Sequence, residues 1–131
     1  MNSKTIHVDV ELSAARAIAC QRKSRNAIHP VRDALPLSLR FAIDATCKLS
    51  VEDLFIPHKL DTAQEVLLRL KTLIEDVGGV PVIHHTEEGD PYETGGSELG
   101  RNIGILFNHL DEMQRNAWLV SDHLAARAVI G

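Results

Sequence analysis

Apolar and polar positions change rhythm several times along this chain. From Thr5 to Leu12 the apolar residues Ile6, Val8, Val10 and Leu12 alternate with His7, Asp9 and Glu11. A period of two predicts a half-buried strand over 5–12. Ser13 stands where a helix N-cap would, ahead of the alanine-rich run Ala14–Cys20, which predicts a helix over 13–24. A helix starting as early as Ile6 is the alternative. A longer alternation follows a proline-punctuated connection at 26–36. Leu35, Leu37, Leu39, Phe41, Ile43, Ala45, Cys47 and Leu49 hold the odd positions, against Ser38, Arg40, Asp44, Thr46 and Lys48 at even ones. A helix would scatter those odd residues around its circumference, whereas a strand puts them on one side. This favours a strand over 37–49, despite the low β propensity of 42–45.

Ser50-Val-Glu-Asp53 can start a short helical turn that Pro57 ends. Thr62-Ala-Gln-Glu65 has the form of a capping box. Val66, Leu67, Leu70, Leu73, Ile74 and Val77 follow at helical spacing and predict a helix over 62–77, stopped by Gly78-Gly79. Val80–His84 reads as a short strand, with Pro81 placing it at an edge or a strand start. Thr86–Gly96 holds three Gly, one Pro and four acidic residues and reads as a solvated loop.

The final segment changes period again. Ile103, Leu110, Ala117 and Leu124 recur every seven residues, as do Leu106, Met113 and Val120. That spacing predicts one long amphipathic helix over 97–129 with a coiled-coil-like seam. At 1.5 Å per residue such a helix runs ~50 Å, longer than a domain of this size is wide. Ile105, Trp118 and Leu119 lie off the seam. The seam is therefore expected to meet a second copy, with the Trp118 and Leu119 face spent on the chain's own body. His109, Asn116 and His123, each one residue before a seam position, form a polar margin of the kind that sets register between helices.

Taken together these elements predict an α+β fold in one domain, 1–131. A small sheet of about three strands (5–12, 37–49, 80–84) would be covered by two helices (13–24, 62–77), with the long helix over 97–129 for packing and self-association. An all-α helical bundle, with 35–49 helical, is the alternative.

Composition narrows the function classes. With 131 residues, 44% hydrophobic and 24% charged, the chain can bury a core without staples. A net charge of −4 disfavours nonspecific adhesion to nucleic acid or membranes. No stretch approaches the ~20 apolar residues of a membrane span, and the start of the chain lacks a signal peptide's apolar run. A cytoplasmic location is the expectation. Cys20 and Cys47 match no metal-ligand spacing and read as free thiols.

Few residues suggest chemistry. His84 and His85, followed by Glu87, Glu88 and Asp90, are the candidates for a metal or acid–base site. Neighbours on a strand face opposite ways, however, so one ion cannot easily take both imidazoles. No second ligand pair at a recognisable spacing follows, and no metal or cofactor is expected. Arg16, Arg22, Lys23, Arg25 and Arg32 form a basic block without an acidic residue between Ala14 and Arg32, while 61–98 carries nine acidic residues and two basic. The block can meet phosphates, but no aromatic residue accompanies it to stack on bases. Arg25-Asn-Ala-Ile-His29 is similar to the Arg-Asn…His motif of HEPN ribonucleases. Its gap is shorter than that motif's and Pro30 follows at once, so no residue role carries over. Glycine-rich phosphate loops and nucleophile signatures are missing.

The sequence thus points to a small non-enzymatic interaction protein, a homo-oligomer with a dimer favoured, that binds or inhibits another macromolecule. Ile103, Leu106, Leu110, Met113, Ala117, Val120 and Leu124, with His109 and His123, are its candidate self-association residues. Glu87, Glu88, Asp90, Arg22, Lys23 and Arg25 are its candidate docking residues for a protein partner. The alternatives are a small metal- or ligand-dependent enzyme using His84 and His85, and a nucleic-acid binder using 16–32.

Overall fold

The computed structural model describes residues 3–50, 52–53, 56–78 and 82–130, and the side chains of 10–50, 52–53, 56, 58–78 and 82–122. In chain order it has helix α1 (Ser3–Ala27), a 3₁₀ turn (His29–Ala34), helix α2 (Leu37–Cys47) and a second 3₁₀ turn (Pro57–Leu60). Helix α3 (Asp61–Asp76), strands β1 (Val82–His85) and β2 (Pro91–Thr94), and helix α4 (Glu98–Ile130) complete it. The chain is mostly helical, and the one sheet among the described residues is the antiparallel pair β1–β2. Two of the three expected strands are helices.

The reason is visible in what each helix buries. In α2 the covered side chains are Leu39, Ile43, Thr46 and Cys47, one helical stripe at i, i+4, i+7 and i+8. Leu37 and Phe41, which the alternation had grouped with them, stand 57% and 63% exposed on another side of the helix. The odd-position pattern superimposes two i, i+4 pairs, one inside and one outside. Residues 5–12 belong to α1 for a similar reason. Val10, Ser13, Ala14, Ala17, Cys20, Gln21 and Ser24 are buried at helical spacing, while Leu12 is turned outward.

Among the described elements, helices α1 and α4 share the most extensive contact. Val10 and Ala14 pack with Val120, while Glu112 lies beside the Cys20 thiol. Low numbers therefore meet high ones, and the two helices run antiparallel. The buried side of α1 is mostly small (Ser13, Ala14, Ala17, Cys20, Ser24), which lets the bulkier seam of α4 approach closely. Ser24 Oγ donates to Cys20 O at 2.8 Å, so one buried hydroxyl is satisfied within its own helix.

Helix α3 covers α4 from another side. The Ser97 hydroxyl accepts from Gly100 N–H at 2.9 Å as the N-cap of α4, and it donates to Val77 O at 2.9 Å. One side chain so joins the end of α3 to the start of α4. Helix α3 continues from the preceding 3₁₀ turn and begins at Asp61, without the side-chain cap expected of Thr62 and Glu65. It ends at Asp76, and Gly78 in the turn that follows has a φ of 100°, left-handed backbone that glycine adopts without a Cβ clash. Ser50 and Asp53 do form reciprocal bonds: Ser50 N–H to Asp53 Oδ2 at 3.1 Å and Asp53 N–H to Ser50 Oγ at 3.2 Å. Gln21 holds α2 against α1, its Nε2 donating to Thr46 O at 3.0 Å and Leu49 O at 3.2 Å. Among the described residues no helix is long and apolar enough to cross a membrane.

Candidate interaction surfaces

The faces of α4 are distributed opposite to expectation. Ile103, Leu106, Leu110, Met113, Ala117 and Val120 are at most 1% exposed. Helices α1 and α3 of the same chain close them off, so these residues form its core and are not an open face for a second copy. The physical cause is α1, which runs along α4 far enough to supply the partner that the seam requires. On the other side Ile105 and Leu119 are exposed, while Trp118 is half-buried against the core. Asn116 is buried and donates to Glu112 O at 2.8 Å, inside its own helix rather than across an interface. His109 is half-buried. His123 and Leu124 lie outside the residues whose side chains are described.

Among the described residues the β-hairpin stands open to solvent. All eight strand residues are exposed. Its register pairs Val82 with Thr94, Ile83 with Glu93, His84 with Tyr92 and His85 with Pro91. One face therefore carries Val82, His84, Tyr92 and Thr94, and the other Ile83, His85, Pro91 and Glu93. His84 stacks on Tyr92 with ring centroids 5.2 Å apart, and its Nε2 lies 2.6 Å from Thr94 Oγ1. His85 points from the opposite face. The two imidazoles thus do not converge, and among the described residues no three His, Cys, Asp or Glu side chains gather as a metal site would need.

The expected loop over 86–96 holds β2, which sequence reasoning missed. Its turn closes through Thr86 N–H to Asp90 O at 2.9 Å and Gly89 N–H to Thr86 O at 2.9 Å. Gly89, at φ 89°, supplies the left-handed residue. Glu87, Glu88 and Asp90 therefore stand together at the exposed tip. Glu93 forms an ion pair with Arg101, which ties one face of the hairpin to the first turns of α4.

The basic block does not act as one surface. Arg16, Arg22 and Lys23 are exposed on α1. Arg25 instead donates from Nη2 to Cys47 O at 3.0 Å, capping the end of α2. The thiols are poor nucleophiles. Burial pushes Cys47 up to about 11, the Arg25 guanidinium only partly opposing it. Burial and the neighbouring Glu112 carboxylate raise Cys20 as well. A shallow groove of about 700 Å³ runs between α3 and α4, lined by Gln64, Gln114, Arg115, Trp118, Leu119 and Asp122. Arg115 there is already paired with Asp111. Nothing in the groove combines a nucleophile with a base.

Comparison of the chain with family models, with curated proteins and with solved structures returns no match.

Proposed function

We propose that this protein is a non-enzymatic interaction module that works as a homodimer, and that the β-hairpin is the element through which two copies meet. The observation that carries this reading is the hairpin's exposure. Val82, Ile83 and Tyr92 are 57%, 61% and 47% exposed on a two-stranded sheet that no other described element covers. An isolated hairpin is marginally stable in water and gains most from further strands.

The chemistry of β1 favours a second copy as occupant. Natural edge strands are guarded by Lys, Pro or charges, and Val82-Ile-His-His85 carries none of these. By contrast, β2 has Pro91, which lacks a donor, and Glu93, which is engaged with Arg101. Pairing β1 with β1 across a two-fold axis gives a four-stranded antiparallel sheet that satisfies the open backbone edge of β1 and sets Val82 and Ile83 of each copy beside side chains of the other. It leaves the acidic tips, Glu87, Glu88 and Asp90, free at the ends of that sheet. There they would engage a basic surface of the macromolecule that the dimer binds or inhibits.

Oligomeric state tests the proposal. A four-residue strand pairing is a small interface and associates weakly, so light scattering should follow mass up to roughly millimolar concentration. The wild type should approach twice the monomer mass. Ile83→Lys places a charge on an exposed side chain at the open edge, and should hold the chain monomeric with unchanged circular dichroism. A monomeric wild type, or a dimer indifferent to Ile83→Lys, overturns the reading.

A further inference from the structure

The 3₁₀ turn and α2 together form a small recess that the hairpin reading does not use. It is lined by Ile28, Arg32, Leu37, Arg40, Phe41 and Asp44, and its volume is about 110 Å³. Arg40 Nε is buried and has no hydrogen-bond partner in the structure. A guanidinium nitrogen withdrawn from water and left without an acceptor costs free energy, and that cost falls on an arginine that lines the recess. Among the described residues neither Arg32 nor Arg40 is in an ion pair. The recess is lined by one carboxylate, Asp44, and two guanidinium groups, and is therefore net positive.

Size and surroundings restrict what fits. Ligand pockets for drug-sized molecules run to roughly 300–1,000 Å³, well above this volume. A bare oxyanion head fits, and the rest of its molecule must lie outside. The rim is apolar, since Leu37 and Phe41 stand exposed one helical turn apart beside the recess. Guanidinium groups match a carboxylate with two parallel N–H bonds. We propose that this recess is a binding site for an organic carboxylate with an apolar tail, its head on Arg40 and Arg32 and its tail over Leu37 and Phe41.

The test is a titration of the whole chain followed by nuclear magnetic resonance, with hexanoate, acetate, hexylamine and inorganic phosphate as separate probes. Hexanoate should give saturable shifts centred on Leu37, Arg40 and Phe41. Each buried methylene is worth roughly fourfold in affinity, so hexanoate should bind at least roughly tenfold tighter than acetate. Hexylamine should leave these signals unmoved. Arg40→Gln should weaken hexanoate roughly tenfold or more, as expected for loss of a charged hydrogen bond. Arg32→Gln, on the exposed 3₁₀ turn, is the second variant should Arg40→Gln disturb α2, and it should weaken binding in the same direction. Shifts that do not saturate, or that centre elsewhere, overturn the proposal. Affinity unchanged in the folded arginine variants does so too. Phosphate binding as tightly as hexanoate overturns the assignment of an apolar-tailed ligand.

Discussion

Replacing Leu110 with alanine separates a seam that is core from one that joins two copies. Leu110 is 1% exposed at the middle of α4 and belongs to the cluster that includes Cys20, Leu70 and Met113. Truncation removes three carbons, about 2.4 kcal/mol of transfer free energy at ~0.8 kcal/mol per methylene. The unfilled space adds to this, and leucine-to-alanine changes in cores total about 2–5 kcal/mol. Against a stability of about 5–15 kcal/mol, the variant should stay folded but lose a large share of its margin. Its midpoint should fall by roughly 10 °C. Urea unfolding followed by circular dichroism measures the loss, with the slope expected to stay constant. Leu119→Ala is the matched control. Leu119 is 48% exposed on the same helix, so its truncation should cost less than about 1 kcal/mol. If Leu110→Ala leaves the unfolding midpoint untouched while dissociating a dimer, the seam lies between copies and the packing described here is wrong.

Gln21→Leu removes the donor shared by Thr46 O and Leu49 O, leaving carbonyls at the end of α2 without it. It should destabilise by about 1–3 kcal/mol in the same urea assay, and a neutral result would mean that water replaces the bonds at no cost. Cys47 has its folded pKa raised from 9.0 to about 11 by burial. Stability from the protonated thiol is therefore complete below pH 9 and is lost as pH rises through about 11, up to roughly 2–3 kcal/mol. Cys47→Ala should flatten that alkaline decline, and a decline of equal depth in the variant would assign it to other groups. Gly78→Ala forces a Cβ into backbone at φ 100° and should cost about 1–2 kcal/mol by thermal melting; no change would mean that the end of α3 relaxes freely.

The sequence announces those helices whose burial and periodicity coincide. The long helix was expected at 97–129 and spans Glu98–Ile130; the helix expected at 62–77 spans Asp61–Asp76. Strand β1 lies within two residues of its expected place. What misled is local. In 35–49 two i, i+4 pairs, Leu39 with Ile43 and Leu37 with Phe41, interleave into a perfect alternation, and only tertiary contacts decide which pair faces inward. In 5–12 the alternation Val10, Leu12 gives way because α4 needs a partner along its length. The same missing knowledge inverted the faces of α4. Its seam signalled helix packing correctly, but periodicity does not say whether the facing helix belongs to the same chain. The candidate surfaces were legible only in fragments. The acidic tip was visible as Glu87, Glu88 and Asp90, while β2 was hidden by Pro91 and the glycines around it. The Arg32 and Arg40 recess left no mark, because those arginines sit eight residues apart and come together only through the turn between His29 and Ala34.

The proposed meeting of two copies through β1 is open to isotope-filtered nuclear magnetic resonance on a mixture of labelled and unlabelled chains. Contacts between copies should appear among Val82, Ile83, His84 and His85 and vanish in Ile83→Lys. Contacts between copies that arise only from α2 or α4, or none at concentrations where the wild type is dimeric by mass, would contradict it.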